Sequence, residues 1–192
     1  MGRLQREHSG STSPVSTFAQ VLYRHGLVMG LSALTLFALN SSPHLLATTL
    51  TAVTTAPTKY LLYLMAILAF FYVFLVRKGL SLNRIQGLWI IYLLYISIVE
   101  EMAFRLFLPT ALESSIGFVY AVILSNFVFA GLHYFTLRWK WQNCVFAFFG
   151  GIGLSRLLES SEDLALLILA HFVATFLNTP SQPNGSKQTQ PT

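Results

Sequence analysis

Two adjacent acids and an arginine interrupt a long apolar run. Glu100, Glu101 and Arg105 lie within IVEEMAFRLFLP, from Ile98 to Pro109. An ionisable side chain at mid-bilayer costs roughly 3 kcal/mol or more, so residues of this kind mark a functional site by default. At about 100° per residue, Glu101 and Arg105 fall on nearly one helical face, one turn apart, where an ion pair offsets much of the cost of burying both. Glu100 points about 100° away, and its own one-turn neighbours are Ser97 and Phe104. One carboxylate therefore has a partner and the other is left over. A carboxylate without a cation in a low-dielectric site is suited to general acid or base work.

Two further helical stripes carry polar groups. Asn126, Phe129 and His133 follow i, i+3, i+7 spacing, and His171, Thr175 and Asn178 follow i, i+4, i+7. Taken singly, each has a plain structural reading. A Glu–Arg pair can be a clamp, a histidine near a span end can be interfacial, and Asn126 or Thr175 can be hydrogen-bonding glue between helices. Their joint occurrence on three helices favours function, because a bundle turns such stripes toward one another and away from lipid. The site so formed holds a carboxylate, two imidazoles and amide or hydroxyl groups, a set able to activate water and stabilise an oxyanion. Glu100, His133 and His171 could hold zinc by ligand type, although no HExxH helix is present. His8, His25 and His44 stand in polar or interfacial stretches and receive no role. Glu159, Glu162 and Asp163 read as a solvated acidic turn.

The elements that must position these residues follow from composition. Of 192 residues, 54% are apolar and 10% charged, far below the charged fraction of soluble domains. The expected fold is all-α, a polytopic transmembrane bundle of about six spans. The net charge of +5 sits mostly in connecting loops and reads as topology and headgroup contact, with no nucleic-acid partner. Cys144 is the single cysteine, so no disulfide forms within one chain, and it reads as a packing residue.

Residues 1–20 are expected to form a mobile, polar cytoplasmic tail without a signal sequence. N-terminal membrane helices occupy 21–84. The first apolar run, Gly26 to Leu39 behind Arg24 and His25, is short for a span. Asn40 to Pro57 suits an outer loop, with Leu45 to Val53 dipping toward the membrane. Tyr60 to Val76 is the second span, Gly87 to Leu108 the third, stopped by Pro109 with Glu113 in the turn beyond. Ile116 to Phe135 is the fourth, with Trp139 and Trp141 flanking a basic interface. Cys144 to Leu157 is the fifth, with Ala147, Gly151 and Ser155 as a small-residue packing face. Leu164 to Leu177 is the sixth, and 179–192 is expected to be a disordered tail. Basic loops at 77–84 and 138–140 place both termini in the cytoplasm.

The sequence resembles the CPBP family of CAAX prenyl protease 2 and bacteriocin-processing intramembrane proteases, also called the Abi family. Glu100-Glu101-Met102-Ala103-Phe104-Arg105 matches its EExxxR motif, and Phe129-Ala130-Gly131-Leu132-His133 its FxxxH motif. His171 matches the third motif, with Thr175 where the family usually has Asn or Asp, and Asn178 one turn further on. The resemblance covers about residues 85–178, the catalytic membrane domain. It implies an intramembrane endopeptidase acting on a membrane-associated protein or peptide, with Glu100 as the base that activates water and His133 assisting. Glu101 and Arg105 would orient the site, and His171 with Asn178 or Thr175 would steady the oxyanion. It favours a metal-free mechanism, with no cofactor. A bacterial cell membrane is the expected location. The alternatives are a non-catalytic membrane protein for bacteriocin immunity or protein sorting, and a small transporter with a Glu/His proton relay.

Overall fold

The computed structural model describes residues 15–40 and 43–183. The expectations for the N-terminal tail up to residue 14, for His8, and for the C-terminal tail from residue 184 lie outside the described residues. Eight helices make up the described chain: α1 (Phe18–Leu39), α2 (Pro43–Thr49), α3 (Thr51–Thr55), α4 (Pro57–Arg77), α5 (Arg84–Ile116), α6 (Phe118–Thr136), α7 (Trp141–Ser161) and α8 (Leu164–Asn178). Four of them, α1, α4, α5 and α6, are long and apolar enough to cross a membrane, and α8 is a shorter apolar helix. Helix α7 has 21 residues but is more polar. The outward faces carry exposed Leu62, Phe127, Phe146 and Phe149, the surface a lipid solvent accepts.

Helix α1 begins eight residues before the expected Gly26 start, and the reason is what Arg24 and His25 bind. The Arg24 guanidinium donates to the carbonyls of Thr136 (3.2 Å) and Phe135 (3.3 Å) at the end of α6, where helix carbonyls lack partners of their own. His25 turns inward. The segment Leu22–Gly26 is a π-helical turn, and the Tyr95 hydroxyl of α5 donates to the Gly26 carbonyl at 3.1 Å. Gly26 lies so close to Tyr92 that an added Cβ would come within 2.9 Å of its ring.

Pro109 does not end the third span. Helix α5 runs through it to Ile116, with Glu113 inside the helix. The residues just before it, Met102–Phe107, form a second π-helical turn, a widening that relieves the clash of a proline ring with the preceding turn. In that wide register the carbonyl of Phe104 would meet the nitrogen of Pro109, which carries no hydrogen. The Ser125 hydroxyl of α6 donates to that carbonyl at 2.6 Å. The Asn40 amide donates to the Phe107 carbonyl at 3.1 Å. Neighbouring helices thus satisfy the backbone that the proline disturbs.

The acidic turn is also corrected. Asp163 is buried, whereas Glu159 and Glu162 are exposed. Its carboxylate caps α8 by accepting from Leu166 N at 2.9 Å and takes a second, short bond from the buried Tyr60 hydroxyl of α4. Phe71 of α4 stacks on Phe176 of α8 at 3.6 Å between centroids and meets Phe172 edge-on. Trp89 Nε1 donates to the Thr179 carbonyl at 2.9 Å, which fixes the start of α5 to the end of α8.

The small-residue face of α7 packs as its spacing predicts. Gly151 and Ser155 are buried against Asn126, whose amide donates to Ser155 Oγ at 3.0 Å. A Cβ added at Gly151 would collide with Asn126 Oδ1 and come within 2.6 Å of Arg105 Nη2. Gly151→Ala is therefore expected to destabilise the protein by about 1–3 kcal/mol, as overpacking does. Thermal unfolding in detergent checks this; an unchanged midpoint would mean that α7 stands further from Arg105 than described.

Candidate active site

Glu100 is 2% exposed and three imidazoles converge on its carboxylate. His25 Nε2 lies 3.0 Å from Oε1, His133 Nε2 lies 3.6 Å from Oε1, and His171 Nε2 lies 3.6 Å from Oε2. The first is within hydrogen-bonding range and the other two are just outside it. Three helices therefore supply the rings, α1, α6 and α8, around an acid on α5.

Two of the rings are held by their other nitrogen. His133 Nδ1 is 2.9 Å from the Phe129 carbonyl, which can only accept, so Nδ1 carries a hydrogen. His25 Nδ1 is 2.8 Å from Thr136 Oγ1, and that hydroxyl spends its own hydrogen on the Leu132 carbonyl at 2.6 Å. Thr136 must then accept from His25 Nδ1–H. Both rings are fixed with Nε2 toward Glu100.

Glu101, also fully buried, is the supported partner of the pair. Its Oε2 lies 3.4 Å from Arg105 Nε and its Oε1 is 2.5 Å from His171 Nδ1. The expected Glu101–Arg105 pair is thus present, and Glu101 also contacts His171. Arg105 lies over the Phe129 ring, 4.0 Å from its centroid, a cation–π contact. Phe129 also meets His133 edge-on at 4.6 Å. This one aromatic ring positions a cation and an imidazole.

Asn126 is fully buried and bonded to Ser155 and to the Val122 carbonyl, so it joins α6 to α7 beside Arg105. A cavity of about 500 Å³ opens at Glu100, lined by His133 and His171 and otherwise largely by apolar groups such as Trp89, Leu93 and Phe146. Thr175 and Asn178 line its wall beyond His171. A second cavity, of about 320 Å³, reaches Arg105 from the opposite end of the bundle, past Thr110, Ser155 and Glu162.

The family described as type II CAAX prenyl endopeptidase, Rce1-like, matches residues 82–177. The chain belongs to this Rce1-like family. No curated protein and no solved structure matches it. The matched segment of this Rce1-like protein holds every residue that the sequence motifs single out except Asn178, which follows it directly. It is an integral membrane protein with four candidate spans, and its family membership fits the buried cluster of Glu and His.

His25 is the residue that spacing misses. It precedes the apolar run and reads as a flanking group, and the π turn that aims it inward leaves no trace in the periodicity. It also changes the potential metal donors of the Rce1-like site. The groups that come within 4.8 Å of one another are His25, Glu100 and His133, with His25 in the place that ligand type gave to His171. With Nε2 free of hydrogen, the two rings and the carboxylate would suit a tetrahedral ion with one open position.

Proposed function

We propose that the protein is an intramembrane endopeptidase that cuts a peptide bond beside an apolar or lipid-modified segment of a membrane-associated substrate. One observation carries this reading: Glu100 faces a largely apolar cavity of about 500 Å³ with three imidazoles around its carboxylate. The family's description as a type II CAAX prenyl endopeptidase supports it, with a prenylated tail as the substrate class.

Glu100 takes a proton from water as the water oxygen bonds to the substrate carbonyl carbon. His171, backed by Glu101, donates to the oxygen that becomes negative. The carbon–nitrogen bond then breaks, and the proton held by Glu100 passes to the departing amine. His133 lies beside Glu100 Oε1 and assists both transfers. Thr175 and Asn178 flank the substrate chain along α8. Trp89, Leu93 and Phe146 accept its apolar part.

We further place the protein in a cell membrane with six crossings, α7 and α8 completing the bundle, and with both ends in the cytoplasm. Arg77, Lys78 and Arg84 in one loop and Arg138 and Lys140 in another support that orientation.

The mechanism asks nothing of a metal. Cleavage is expected to persist in a strong chelator, and loss restored by added zinc would instead assign His25, Glu100 and His133 to a metal. The test of the function itself compares the protein termini of membranes carrying wild type or Glu100→Gln at equal abundance. Termini present only with wild type support a peptidase and name its substrate. Identical sets from equally folded proteins would overturn it in favour of a binding role.

A further inference from the structure

We infer that His25, contributed by α1 from outside the matched family segment, is a positioning residue of the catalytic centre: carrying a hydrogen on each ring nitrogen, it donates from Nδ1 to Thr136 and from Nε2 to Glu100 Oε1, and so leaves Oε2 to face the attacking water. The inference rests on the peptidase reading above.

Six observations support it. His25 Nε2 makes the shortest of the three imidazole contacts to Glu100, 3.0 Å against 3.6 Å and 3.6 Å. The ring is 3% exposed, and a buried imidazole beside a buried carboxylate is costly unless the pairing is used. Its orientation is fixed from behind, because Thr136 accepts from Nδ1 and is itself committed to Leu132. Its ring stands edge-on to His133, 4.8 Å between centroids, so the two rings together cover Oε1. The local backbone is shaped for the purpose: the π turn Leu22–Gly26 contains His25, and such turns gather at functional sites. Arg24, the residue before it, anchors that turn to the end of α6.

The two oxygens of Glu100 then differ. Oε1 is covered by His25 and His133, whereas the imidazole beside Oε2 is His171, the ring assigned to the developing oxyanion. A water placed between Oε2 and a substrate carbonyl would have its base on one side and its oxyanion donor close by. Without His25 the carboxylate could rotate and present either oxygen, so fewer encounters would be productive.

The test uses the full-length protein in proteoliposomes with a quenched fluorogenic farnesylated peptide ending in Cys-aliphatic-aliphatic-Met. His25→Asn keeps a donor near the Nδ1 position for Thr136 but places nothing at Nε2. It is expected to fold and to lower kcat by about a hundredfold, the low end for groups that govern proton transfer, with KM within about twofold of wild type. His25→Ala is expected to regain part of its rate in added imidazole. His25→Asn at the wild-type rate, or a His25→Ala deficit that imidazole does not touch, would overturn the role and leave His25 a packing residue. Wild type no faster than Glu100→Gln would instead overturn the peptidase reading on which it rests.

Discussion

Glu100→Gln is expected to lower kcat by about 10²–10⁴-fold, the range for loss of a general base, and to leave the protein folded. The carboxamide has nearly the same shape but cannot take a proton from water. Its effect on stability is small and of either sign. Burying a carboxylate is costly, so removing the charge relieves a penalty, while the contacts to His25, His133 and His171 become weaker. Measurement of kcat together with the unfolding midpoint separates the two effects. A variant that keeps more than about a tenth of the wild-type rate would remove Glu100 from the base role, since no positioned base contributes so little.

The largest expected loss of stability comes from Arg105→Met. Arg105 and Glu101 are both buried, and removing one partner of a buried pair costs about 3–5 kcal/mol because the other charge stays behind. The loss is expected to shrink when Glu101→Gln accompanies it, since that change removes the stranded charge. Unfolding midpoints of the two single variants and the double variant measure the coupling. Strict additivity would mean that Glu101 is held by His171 alone. The contact between Arg105 and the Phe129 face adds a smaller term that the double variant does not restore.

The convergence of Glu100, Glu101, Arg105, His133 and His171 was legible because these residues obey helical spacing. Glu101 and Arg105 one turn apart, and the stripes ending in His133 and His171, required only that three helices turn polar faces toward one another. What spacing cannot carry is a change of helical register. Pro109 reads as a stop by its missing hydrogen, yet a π turn before it and Ser125 across from it keep α5 continuous. His25 reads as a flank, yet another π turn brings it to Glu100. Asp163 reads as solvated because it stands among acids, while its burial depends on Tyr60, about a hundred residues earlier. Each miss involves a partner distant in sequence. The span count was less legible for a different reason: α7 is long enough to cross but trades apolar residues for the glycines and serine that let it approach Asn126.

The two cavities that share Arg105 have a meaning in the language of permeation. One is lined by residues at the C-terminal ends of α6 and α8, Leu137 and Thr179, and the other by the start of α6 at Phe118 and the last turns of α7 at Leu158. A hydrolase inside a bilayer must admit water, and water that enters from both ends is the beginning of a pore. Here Arg105 lines both spaces, held between them by its pairing with Glu101 and by the face of Phe129. For the proposed peptidase, the side chain that pairs with Glu101 would thus also stand between the two water entries and keep a wet reaction from becoming a leak.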